Sequence, residues 1–274
     1  MGVKDFFKLF AGTQIKLNQL KGKVVAIDAM TEIYRSLHGI NTHLTGPNGE
    51  ITTHINLITM TISKFKKAGV SQIYVFDSAM PPPLKKAELE RRRVARVNNL
   101  HAIKITPAMI NDVRRIIQLL GIPYMIAPNG FDAEHVCAEL NKTNRVDYVL
   151  STDADVFLYG GLALLKYEKR SLMLYTREDF IQQTKIPDTN IVDAAVHLGT
   201  DFNAKTAKIG PATLIKKWPT LEKTPEQQAA ADLFNTRPML GQIVEPRPNH
   251  EELLQWLESL AFNRDRMAKL LTTD

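Results

Sequence analysis

Four short apolar runs punctuate the first part of the chain, at residues 24–27, 73–76, 124–126 and 148–150. Each is continuous rather than alternating, the pattern of a strand buried on both faces. Between them the period changes to that of a helix. Residues 32–38 follow the first run. Residues 52–68 carry Ile55, Ile58, Ile62 and Phe65 on one stripe and stop at Gly69, with Thr52 and Thr53 suited to cap the start. Thr106 before Pro107 reads as a cap with proline at the first helical position, opening a helix that runs to Gly121. Residues 133–141 form another. Strand and helix in alternation predict an α/β fold with a mostly parallel central sheet flanked by helices. Residues 162–166 and 171–175 read as two later strands joined by the polar turn 167–170. Beyond about 176 only helical patterns remain, at 190–198, 211–217, 227–234 and 251–260, with a proline-rich stretch at 237–248. The pattern predicts an α/β core over 1–176 and a helical region over 177–274, an appendage integrated into one globular unit.

The acidic residues change the picture. The first two strands end in single aspartates, Asp28 and Asp77. Asp132 and Glu134 follow the third strand at the start of a helix, Asp153 and Asp155 follow the fourth, and Asp201 sits just past a helix ending at Gly199. Any one of them alone is explained as a helix or turn cap. Six in the loops of one sheet edge are not, because ligands of open α/β sheets bind beyond the carboxyl ends of the strands. So many like charges in one crevice are unfavourable without cations. Oxygen-only ligands select hard ions, magnesium or manganese, and two such ions side by side stabilise the attacking and leaving oxygens of phosphodiester cleavage.

Composition narrows the class. Hydrophobic residues make up 44% and charged residues 23% of 274 residues, which excludes a disordered or fibrous chain. No apolar run reaches the ~18 residues of a membrane span. Lys4, Asp5 and Lys8 spoil residues 1–10 as a signal peptide, and the single cysteine, Cys137, can form no intrachain disulfide. The expectation is an intracellular protein, neither secreted nor membrane-bound. The net charge of +6 favours a polyanionic partner. It is concentrated: residues 85–104 hold seven basic residues against two acidic, and Lys85, Arg92 and Arg96 fall on one helical face.

The ordered set Met1-Gly2-Val3-Lys4, Val25-Ala26-Ile27-Asp28, Tyr74-Val75-Phe76-Asp77, Gly121-Ile122-Pro123-Tyr124, residues 127–134, residues 151–155 and Leu198-Gly199-Thr200-Asp201 resembles the flap endonuclease/XPG family of structure-specific 5′ nucleases. The resemblance implies a 5′-nuclease, PIN-like fold and hydrolysis at a single-strand/double-strand junction, one nucleotide or so into the duplex, leaving a 5′ phosphate and a 3′ hydroxyl. It implies two Mg2+ ions, replaceable by Mn2+, with Asp28, Asp77, Glu134 and Asp153 about one and Asp132, Asp155 and Asp201 completing the second. The basic segment at about 84–105 corresponds to the family's helical arch. Lys85 and Arg92 then reach the scissile phosphate, with Lys86 and Arg96 beside them on the DNA. Tyr34 corresponds to a residue that stacks on a base, and Gly2 lets the N-terminal backbone come close to DNA. Residues 190–217 resemble the helix–two-turns–helix duplex clamp, where Lys205, Lys208, Gly210 and Lys216 meet phosphates and a K+ ion sits in the loop.

Three departures stand out. The stretch 84–121 is short for an arch with two helices, which leaves room for 5′→3′ exonuclease or gap and junction cleavage. Lys208 replaces a glycine of the clamp turn, where a positive φ costs a lysine energy. The C-terminus shows no recognisable sliding-clamp peptide. The implied partner is branched, nicked or gapped double-stranded DNA, bound by a monomer in the nucleus of a eukaryote or a viral replication compartment. Two other classes compete: a haloacid-dehalogenase-like phosphatase using Asp153 and Asp155 with one magnesium, and a nucleic-acid-binding scaffold that does not cut. The first leaves Asp28, Asp77, Asp132 and Glu134 without a role, and the second would be expected to have lost several acids.

Overall fold

The computed structural model describes residues 2–38, 43–80, 82, 85, 90, 104–169 and 171–271. Seven strands form one sheet: β1 (Thr13–Ile15), β2 (Val24–Asp28), β3 (Ser71–Phe76), β4 (Tyr124–Ile126), β5 (Tyr148–Leu150), β6 (Ala163–Glu168) and β7 (Ser171–Thr176). Their order is β1-β7-β6-β5-β2-β3-β4. The pairs β6–β5, β5–β2, β2–β3 and β3–β4 are parallel, whereas β7 and β1 add antiparallel at one edge. The four early apolar runs are therefore the parallel strands expected, and β6–β7 is the expected hairpin.

The helices are α1 (Ala29–His38), α2 (Thr53–Lys67), α3 (Pro107–Leu119), α4 (Ala133–Lys142), α5 (Asp155–Leu158), α6 (Arg177–Thr184), α7 (Ile191–Val196), α8 (Pro211–Lys217), α9 (Pro225–Phe234), α10 (His250–Ser259) and α11 (Arg264–Leu271). Thr106 caps α3 through the Met109 N–H, as its sequence predicts. Thr52 stands at the N-cap of α2 but makes no capping bond. Its neighbour Thr53 instead accepts the Leu44 N–H at 2.7 Å, tying the preceding loop to the helix.

Alternation within each strand sorts the core into two layers. Ala26, Val75, Met125, Val149 and Leu164 face α4, α5 and α7. Val25, Ile27, Tyr74, Phe76 and Leu150 face α1, α2 and α3. The C-terminal helices do not hang off the molecule: Leu253, Leu257, Met267 and Leu271 of α10 and α11 join this second layer, and Ser63 donates to the Leu270 carbonyl at 2.6 Å. The proline-rich stretch also returns to the sheet, where Val244 bridges Tyr124 of β4.

Four elements escape the sequence pattern: α5 is a single four-residue turn, and three others are weakly written. β1 is short and mostly exposed. α6 buries only Phe180 and Thr184, and α11 only Met267 and Leu271, so neither writes a readable stripe.

An aromatic cluster fixes the N-terminal segment. The Phe6 ring stacks on Phe180 at 5.5 Å and on Phe157 at 5.9 Å between centroids, with Phe10 edge-on at 5.9 Å. Lys4 donates its N–H to the Gly199 carbonyl at 3.4 Å. The chain's first residues are thereby pinned between α5 and the loop after α7. Phe6→Ala should lower unfolding free energy by about 3–5 kcal/mol, read as a lower urea midpoint; a loss under about 1 kcal/mol would mean that the cluster does not anchor this segment.

Candidate metal centre

Register aligns the carboxyl ends of the parallel strands. Asp28 pairs with Val75, Ile27 with Leu150 and Phe76 with Ile126, so the loops after β2, β3, β4 and β5 open on one edge. All six loop carboxylates start there.

The local folding of each acid differs. Asp28 accepts the Thr31 N–H at 3.0 Å and the Thr31 hydroxyl at 2.6 Å, closing the first turn of α1, and also accepts the Ser151 hydroxyl at 3.2 Å. Capping and crevice are thus one role for this residue, not rivals. Asp77, more exposed than the others, accepts the Ala133 N–H at 2.9 Å and so caps a helix it does not belong to. That releases Asp132, the N-cap of α4 by position, which makes no side-chain capping bond. Asp153 accepts the Asp155 N–H at 3.0 Å and donates its own N–H to Ser151 at 3.1 Å. Thr31 and Ser151 are the residues that sequence reasoning missed. The only signal was their spacing, a hydroxyl three residues after Asp28 and two before Asp153.

The acids converge in two overlapping groups. One carboxylate oxygen from each of Glu134, Asp153 and Asp155 lies within 4.8 Å of the others, close enough to hold a metal ion. On the other side of Glu134, the Lys85 ammonium donates to Asp132 at 2.6 Å and Glu134 at 2.8 Å and stands 3.9 Å from Asp201. Asp155 thus lies with Glu134 and Asp153, and Asp132 with Asp201 around Lys85.

Asp155 is the clearest test of a cation. It is completely buried, and among the described residues neither of its oxygens has a hydrogen-bond partner. A carboxylate in that state is costly unless a positive charge joins it. The donor set is all oxygen, which suits a hard divalent ion. The fit is therefore good: a divalent metal belongs in this crevice.

Electrostatics agree. Burial, reinforced by Glu134, pushes the Asp28 carboxyl up to about 6 and Asp153 to about 7. Asp132 rises to about 6 for the same reasons, against the pull of Lys85. Burial and the neighbouring Asp153 push Asp155 well above the ordinary range. Burial, Glu134 and Asp28 also raise Asp77, where solvent access weakens the effect. Burial pushes Glu134 up as well, but the Lys85 ammonium outweighs it and holds that carboxyl below its usual value.

Gly2 presses on the same acids. Its φ is +67°, and a Cβ there would run into the Asp153 carboxylate and stand 2.6 Å from an Asp155 oxygen. The freedom of this glycine is used against the carboxylates themselves. Tyr34, 38% exposed on α1, packs against His38 with centroids 4.1 Å apart and the rings tilted by 34°. In the 190–217 segment, Lys205, Lys208 and Lys216 are exposed, Lys208 takes the positive φ expected of it at 62°, and Gly210 is the N-cap of α8. Lys86, Arg92 and Arg96, with most of the basic segment, lie outside the described residues.

The XPG N-terminal domain family matches residues 1–99, and the XPG I-region family matches residues 121–201. The chain belongs to the flap endonuclease/XPG family. Between them these matches hold all seven strands and all seven acids. The flap endonuclease 1 of Kluyveromyces lactis is 29% identical across 97% of this chain and 85% of its own length. That of Thermococcus onnurineus is 27% identical across 94% and 86%. Among solved structures, the flap endonuclease-1 of Methanococcus jannaschii superposes with a TM-score of 0.82 at 22% identity, covering 98% of this chain and 96% of that one. The catalytic core of Rad2 in complex with a DNA substrate gives 0.79 at 21% identity, covering 99% of both chains. These superpositions show the shared fold.

The raised carboxyls make a pH-dependent prediction. In the folded protein Asp28, Asp132 and Asp153 hold protons to about pH 6–7, whereas unfolded aspartates release them near 3.8. The folded state therefore binds more protons in between, and stability falls as pH rises through that window. With EDTA present the Tm should drop from pH 5 to pH 8, and added Mg2+ should raise Tm more at pH 8 than at pH 5. A flat EDTA profile would contradict the cluster's burial.

Proposed function

We propose that this chain is a divalent-metal-dependent nuclease that cuts DNA at single-strand/double-strand junctions, with the 5′ flap as its preferred substrate. The observation that carries this is the buried, unpartnered Asp155 beside Glu134 and Asp153, at the carboxyl edge of the sheet in a chain of the flap endonuclease/XPG family. Asp28, Asp77, Asp132, Glu134, Asp153, Asp155 and Asp201 hold two Mg2+ ions, directly or through water, and Mn2+ substitutes. The ions, when bound, supply an activated water and stabilise the leaving oxygen.

The chain's own residues do the rest. Thr31 and Ser151 hold the Asp28 carboxylate at a fixed angle, and the Asp155 N–H does the same for Asp153. Lys85 and Arg92 steady charge on the scissile phosphate. Exposed Tyr34 stacks on an unpaired base. Lys205, Lys208, Gly210 and Lys216 take the duplex phosphates, with K+ in the same loop on backbone carbonyls, and Lys86 and Arg96 extend the basic surface. The products carry a 5′ phosphate and a 3′ hydroxyl. A monomer working on branched, nicked or gapped DNA in replication, repair or recombination, in a nucleus or a viral replication compartment, fits this chemistry. Convergence of all seven acids supports the nuclease over a one-metal phosphatase or a silent scaffold.

End-labelled DNA in Mg2+ tests the reading: a free 5′ flap, the same flap blocked at its 5′ end, and a nick. The expected result is cutting of the free flap at its base. Cutting of both flaps or stepwise removal at the nick would assign a gap endonuclease or 5′ exonuclease instead, and binding without any cutting would overturn the nuclease reading. Asp153→Ala should slow cleavage at least about a hundredfold while DNA affinity, read by fluorescence anisotropy, stays equal or tightens. Parallel losses in both would show that Asp153 serves binding rather than chemistry.

A further inference from the structure

The crevice contains a cation of the protein's own. Lys85 is 6% exposed, and its ammonium bonds Asp132 and Glu134 while facing Asp201. These are the carboxylates that line that side of the crevice. The ammonium holds one oxygen of each of Asp132 and Glu134 at 2.6–2.8 Å, and its charge repels a divalent ion brought to the same carboxylates, so the two cations oppose each other there. The other side differs. There Asp153 accepts the Asp155 N–H, and among the described residues neither Asp155 oxygen has a hydrogen-bond partner.

We infer that Lys85 competes with the divalent ion for the Asp132–Glu134–Asp201 side, and that the substrate phosphate, by drawing the ammonium to itself, opens that side to the ion. The inference rests on the nuclease reading, since it is the scissile phosphate that must reach Lys85. It divides loading into two steps. The Asp153–Asp155 side takes its ion with or without DNA. The Asp132–Asp201 side takes its ion tightly only with DNA in place. Linkage then demands the reverse effect, with that ion tightening DNA binding by the same factor. A flexible four-carbon stem and a compact charge make lysine suited to such an exchange between carboxylates and phosphate. The device also keeps the crevice from carrying its full pair of ions away from substrate.

The test is a titration of the whole chain with Mn2+, counting free ion by electron paramagnetic resonance. Without DNA, the wild type should bind one ion tightly and a second weakly. Lys85→Met should tighten the second ion at least about tenfold, and Lys85→Arg should not. A flap duplex with a methylene-bridged phosphonate at the scissile position keeps the charge and resists hydrolysis. It should tighten the second ion in the wild type to a similar degree, whereas a neutral methylphosphonate should not. Equal second-ion affinity in wild type and Lys85→Met, or no effect of the charged duplex on the wild type, overturns the inference. The duplex arm uses only the wild type, so it decides the matter even if Lys85→Met fails to fold. Cleavage of an ordinary flap, measured alongside, separates the two failures: absent cleavage removes the nuclease reading, and intact cleavage with uncoupled ions removes only the competition.

Discussion

Like-charge repulsion in one buried crevice is the constraint on which the structure turns. Asp28, Asp132, Glu134, Asp153 and Asp155 are all less than a tenth exposed, and among the described residues Lys85 bonds Asp132 and Glu134. Water would separate them if it could. They stay together because none of them is free to leave: each sits at or within a few residues of the end of a buried strand or the start of a helix packed on the sheet. The sheet's register sets their spacing, and the two apolar layers resist its loosening. The energy that holds the acids in place is spent in the core, and the site returns it only when cations arrive.

Capping divides the labour among them. Asp28 and Asp77 satisfy helix N–H groups, so their charge is partly met by the backbone. Asp77 caps α4 in place of Asp132, which leaves Asp132 for Lys85. Asp155 has neither device and carries the strongest demand for an ion. The site is therefore graded, from carboxylates half-neutralised by protein dipoles to Asp155, whose oxygens accept no hydrogen bond among the described residues.

Much of this was legible in the sequence because the relevant signals are local. A buried parallel strand ending in aspartate is written in five consecutive residues, and Asp28, Asp77, Asp153 and Asp155 could be placed on one edge without coordinates. The grouping of those acids was not legible. Asp201 faces Lys85 across more than a hundred residues of chain, and Asp155 joins Glu134 because α5 starts at that residue and turns it inward. Elements with few buried positions were also invisible: β1 carries polar residues at an exposed edge, and α11 hides Met267 and Leu271 among charges. The C-terminal helices were legible as helices but not as part of the sheet's own core, since a helix stripe does not say which surface it will cover.

The pinning of Lys4 to Gly199, together with the seat of Gly2 against Asp153 and Asp155, sets a schedule for biosynthesis. Lys4 finds its partner only late, since nearly two hundred further residues must be made before Gly199 exists. At ordinary elongation speeds that interval is on the order of 10–40 s. For much of it Asp28 and Asp77 lack the later acids, and Asp201 comes only after Gly199. A nascent or prematurely terminated chain that stops short of Asp153 thus lacks the Glu134–Asp153–Asp155 group, and the crevice is assembled only when the later loops are in place.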